Sequence, residues 1–88
     1  MDSVPVYLRD ACETFASRAK ALGYKGLRAD VAALDYFLGL TMGARLAGDK
    51  AMGDHFERVA VLIIATRGMG EVRRIASLPA RKRRDDDK

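Results

Sequence analysis

Seven consecutive apolar residues, Val59-Ala60-Val61-Leu62-Ile63-Ile64-Ala65, constrain this chain more than any other feature of it. A helix packed in a small bundle needs one apolar stripe, whereas this run places apolar side chains on every side. Only 88 residues are available to cover them, near the size at which one core is marginally stabilising. The run therefore predicts self-association or a macromolecular partner.

The β-branched content of the run also permits a strand. No second segment repeats that composition or alternates, so such a strand lacks partners within the chain, and the helical reading is preferred. From Ser3 or Val4 to Leu22, the residues Leu8, Cys12, Phe15, Ala19 and Leu22 recur at helical spacing, with Pro5 tolerated in the first turn. Gly23 and Gly26 end that helix and give a short connection, which favours antiparallel neighbours. A second helix is expected from about Leu27 to Ala47. It carries two apolar stripes, Leu27/Val31/Leu34/Leu38/Met42 and Ala33/Phe37/Leu40/Ala44/Ala47, which imply two neighbours. Ala32, Gly39 and Gly43 lie between them as small residues open to close helix approach.

After Gly48, Asp49 offers an N-cap, and Gly53-Asp54 followed by Glu57 offers a competing start resembling a capping box. A third helix from Asp49 or Lys50 is preferred, with Met52, Phe56, Val59, Ile63 and Thr66 on one face, ending near Gly68. A short fourth helix is expected over Glu71 to Leu78, stopped by Pro79. Residues 1–79 then form one helical domain, and residues 80–88 a charged tail without fixed structure.

The formal net charge of +4 belongs wholly to the C-terminus. Residues 1–66 hold eight basic and eight acidic groups, while residues 67–84 hold seven basic groups against Glu71 alone. Arg73, Arg74, Arg81, Lys82, Arg83 and Arg84 are the candidate polyanion contacts, able to neutralise phosphates and release counterions. The aspartates at 85–87 blunt that capacity, and Asp85-Asp86-Asp87-Lys88 resembles part of an acidic protease-cleavage tag. With no Trp and six Phe and Tyr residues, a base-stacking platform is poorly supplied. A helix-turn-helix reader is disfavoured as well, because the third helix is too apolar to read base edges.

Nothing in the sequence assembles a catalytic site. His55 is the only histidine, and Ser3, Ser17 and Ser77 lack a nucleophile-elbow context. Asp54, His55 and Glu57 have poor spacing for one metal ion. Gly68-Met69-Gly70 lacks the remainder of a phosphate-binding loop and reads as a hinge. Asp35, within the most apolar helix, is expected to pair with Arg28, Arg45 or Arg58. Cys12 is read as a core residue. A lone cysteine, no signal-peptide pattern and no apolar stretch near the roughly 20 residues of a membrane span point to the cytoplasm.

The expectation is an all-α antiparallel hairpin or three-helix unit with a short basic fourth helix, assembling as a symmetric dimer by burying the third helix and part of the second, and binding no cofactor or metal. It would act non-catalytically, as an adaptor, inhibitor or regulatory subunit, through Phe56, Val59, Val61, Leu62, Ile63, Ala65 and Thr66. Val61, Leu62 and Ala65 mark the half that the chain itself leaves uncovered. The alternative is a nucleic-acid accessory protein using the basic C-terminal segment.

Overall fold

The computed structural model describes residues 4–66 and 69–81, and what it describes is all-helical apart from one two-residue strand pair. The order is β1 (Val4–Pro5), α1 (Val6–Leu22), α2 (Gly26–Leu46), α3 (Lys50–Thr66), α4 (Gly70–Ala76) and β2 (Ala80–Arg81).

Local chemistry accounts for the boundaries. α1 stops where Gly23 turns to a positive φ of 74°, letting its N–H donate to the Lys20 carbonyl at 3.1 Å and the Tyr24 N–H to the Ala19 carbonyl at 2.9 Å. At the end of α2, Gly48 takes a φ of 83°. Asp49 then begins α3, its carboxylate accepting the Met52 N–H at 3.0 Å. The competing start at Gly53-Asp54 is not used, because both residues lie inside α3.

Pro5 is not in the first turn of α1 but immediately before it. Val4 and Pro5 are extended and run parallel to Ala80 and Arg81, with the Val4 N–H donating to the Pro79 carbonyl at 3.2 Å. Proline suits this position because it has no N–H to leave unpaired. Ala80 and Arg81, expected within an unstructured tail, are thus held by backbone pairing, and the rest of that tail lies outside the described residues.

α2 and α3 form the principal hairpin. They are antiparallel: Arg45 near the end of α2 meets Asp54 near the start of α3, while Leu34 and Ile63 line one groove toward the other end. α2 contributes Ala29, Ala33, Phe37 and Ala44 to the core, and α3 contributes Phe56, Val59, Ala60 and Ile63. Alanines on α2 let α3 come close. α1 lies over this hairpin: Tyr7 packs on Phe56 with ring centroids 5.7 Å apart, and Phe15 packs on Tyr36 at 5.2 Å and on Phe37 at 6.3 Å. α4 closes the layer by burying Val72 and Ile75 against α1 and α3.

The connection between α1 and α2 is short, as expected, yet the nearest extensive neighbour of α1 is α4 rather than α2. Phe15, Tyr36 and Phe37 hold α1 away from the α2 backbone, and α4 fills the space beside it.

Candidate interaction surface

One face of the hairpin is covered by α1 and α4, and the other is bare. On α2, Leu27, Val31, Leu38, Met42 and Leu46 are exposed, and on α3 so are Val61 and Ile64, with relative exposures of 43 to 86%. Leu27, Val31, Leu34, Ile63 and Ile64, with Gly26 and Asp30, line a shallow groove of about 360 Å³ between the two helices. Leu38 and Met42 prolong the α2 stripe by successive steps of four residues, and Val61 lies one helical step from Ile64. The result is a largely apolar strip along both helices, with Asp30 at the groove.

Its far end is polar. Arg45 donates to Asp54 at 3.0 Å and to Glu57 at 2.7 Å, and Lys50 reaches Asp54 at 3.0 Å. Hydrogen bonds from Lys50 and then Arg45 hold the Asp54 carboxyl below its ordinary range, and the same network raises the Arg45 guanidinium. Arg45 can cross to α3 because Gly53 has no side chain: a Cβ there would lie 2.8 Å from Arg45 Cγ. Asp54 and Glu57 therefore serve Arg45 rather than the helix N-terminus.

The seven interface residues expected on α3 divide sharply. Phe56, Val59 and Ile63 are no more than 5% exposed and belong to the protomer's own core. Leu62 is half-buried, and Val61, Ala65 and Thr66 are exposed, the Thr66 hydroxyl donating to the Leu62 carbonyl at 2.8 Å. Ile64, absent from that set, is at the surface. The larger share of the bare face comes from the first α2 stripe, none of whose residues was among the seven expected at the interface. The distinguishing signal was available: its competitor consists largely of alanines around Phe37, the composition that permits close helix packing.

Asp35 is exposed and makes no ion pair among the described residues. It points from the outer arc of α2, while Arg45 is engaged by α3 and Arg28 lies 5.7 Å over the Tyr24 ring. At Gly39 and Gly43 an added Cβ would meet nothing within 4 Å, so among the described residues no other helix packs on that small surface.

The expected polyanion residues are also separated. Arg74 is paired with Glu71, Nε donating to Oε1 at 3.1 Å, which holds the Glu71 carboxyl below its usual range. Arg73 instead lines a cavity beside Lys20 and Lys25. Arg81 is placed through the pairing of its backbone with Pro5, and Lys82, Arg83 and Arg84 lie outside the described residues.

His55 is half-buried, stacked beside Tyr7 with Nδ1 hydrogen-bonded to the phenol oxygen. The Ser77 hydroxyl donates to the Arg74 carbonyl at 2.8 Å, at the end of α4. Cys12 is fully buried and its thiol is pushed up to about 12, first by burial and then by the Glu71 carboxylate. Among the described residues, no group of three or more His, Cys, Asp or Glu could hold a metal ion, and no helix is long and apolar enough to cross a membrane.

No protein-family model matches the chain, and no curated protein or solved structure is significantly similar to it. The class defined by fold and surface is an all-α helical protein with one uncovered apolar face.

Proposed function

We propose that this protein is a non-catalytic helical interaction module that works as a symmetric homodimer, serving as an adaptor, inhibitor or regulatory subunit. The observation that carries the reading is the bare strip of Leu27, Val31, Leu38 and Met42 on α2 beside Val61 and Ile64 on α3. With Leu46 it gathers seven large apolar side chains, each at least 43% exposed, on two neighbouring helices, and extended exposed apolar patches of this kind mark interaction sites. A second copy brings an equally apolar strip, as a two-fold interface requires. The same reading places the protein in the cytoplasm, where the unpaired Cys12 thiol is at home.

Sedimentation equilibrium at micromolar concentration tests it. The wild type is expected at twice the protomer mass, and Leu38→Asp with Ile64→Asp at the protomer mass with helicity retained. A compact wild-type monomer overturns the dimer.

A further inference from the structure

A second surface, distinct from the bare strip, gathers positive charge from three parts of the chain. Lys20 near the end of α1, Lys25 in the turn before α2 and Arg73 on α4 line one cavity of about 420 Å³. No carboxylate lines it, and none of the three cations makes a salt bridge among the described residues. Arg28 adds a fourth cation beside it, over the ring of the lining residue Tyr24. The sequence separates Lys20 from Arg73 by more than two helices; packing of α4 on α1 brings them together.

Like charges at a concave site repel one another until an anion enters. Arg73 presents a planar fork matched to phosphate oxygens, and the lysines supply compact charges. The Ser17 hydroxyl adds a neutral donor at the wall. Behind this rim, Ala16, Ala19, Ala29 and Met69 make an apolar floor. The volume lies within the ~300–1,000 Å³ range of small-molecule sites. We infer that this cavity binds a small organic phosphate monoester, with the phosphate held by Lys20, Lys25 and Arg73 and the carbon portion resting on the floor. A compact concave site suits such a ligand better than a nucleic-acid backbone, which follows extended basic grooves. The inference does not rest on dimerisation, because the cavity shares no lining residue with the groove of the bare strip.

Calorimetric titration and thermal shift of the full chain test it in low salt. The probes are adenosine 5′-monophosphate, glycerol 3-phosphate, inorganic phosphate, unphosphorylated adenosine and a single-stranded oligonucleotide. Saturable binding of at least one phosphate monoester is expected, tighter than inorganic phosphate, with a rise in Tm by mass action and no binding of adenosine. Lys20→Gln with Arg73→Gln is expected to weaken it at least ~10-fold with the helical spectrum unchanged. Ala16→Leu, which narrows the cavity without altering charge, is expected to weaken the monoester more than inorganic phosphate. The inference is overturned if neither monoester binds, if the charge-removed variant binds equally well, or if only the oligonucleotide binds.

Discussion

Cys12 illustrates what a single residue contributes when burial controls its chemistry. It is fully buried in α1, and its thiol is pushed from 9.0 to about 12 by burial first and the Glu71 carboxylate second. The folded protein therefore keeps the proton in a pH range where the unfolded chain has released it. The thiol's contribution is fully present below about pH 9 and is lost as pH rises toward 12, at up to ~1.4 kcal/mol per pH unit. Denaturant midpoints at pH 8 and pH 10 should fall further apart in the wild type than in Cys12→Ala; equal differences would remove Cys12 as the cause. Asp49 acts more locally, through one hydrogen bond to the Met52 N–H. Asp49→Ala should cost about 1 kcal/mol and Asp49→Asn much less, read by thermal unfolding. Both residues were legible in the sequence because an apolar stripe and a cap depend on near neighbours. The partner expected for Asp35 was not legible, because Arg45 was taken by a helix that only folding brings alongside.

At the scale of elements, two glycines in helices should respond in opposite ways. Gly43 on α2 has open space where a Cβ would go, so Gly43→Ala should stabilise the protomer by roughly 0.5–1 kcal/mol through helix propensity. A variant that is less stable instead would place another surface against that side of α2. Gly53 on α3 is buried beneath Arg45, whose Cγ lies 2.8 Å from the added atom. Crowding should outweigh the propensity gain, so Gly53→Ala should lose about 1 kcal/mol, accompanied by weaker Arg45 pairing with Asp54 and Glu57. Chemical denaturation compares both variants on one scale. Helix existence and position came through from periodicity and turn chemistry, with ends shifted by a residue or two. The extended start at Val4–Pro5 was hidden, since its pairing partner lies at Ala80–Arg81, at the opposite end of the chain.

For the whole molecule, the two proposed surfaces differ in physical character and should separate by salt dependence. Dimerisation through an apolar strip should change little between low and high ionic strength, whereas phosphate binding by exposed cations should weaken steeply. Sedimentation and calorimetry across a salt series check this, and a dimer that dissociates with salt would point away from Leu38 and Ile64. The sequence by itself determined the helices, several of their caps and an excess of apolar surface, because hydrogen bonding within a helix and 3.6-residue periodicity act over a few residues. Only the tertiary structure decided which apolar stripe was spent on the core. The alanines of α2 admit α3 closely around Phe37, so that stripe turns inward. α1 and α4 cover the same side, and the leucine-bearing stripe remains outside. Likewise, Lys20, Lys25 and Arg73 become neighbours only through packing of α4 on α1. Such outcomes depend on which surfaces fit at van der Waals distance among residues far apart in the chain, a comparison that local patterns do not contain.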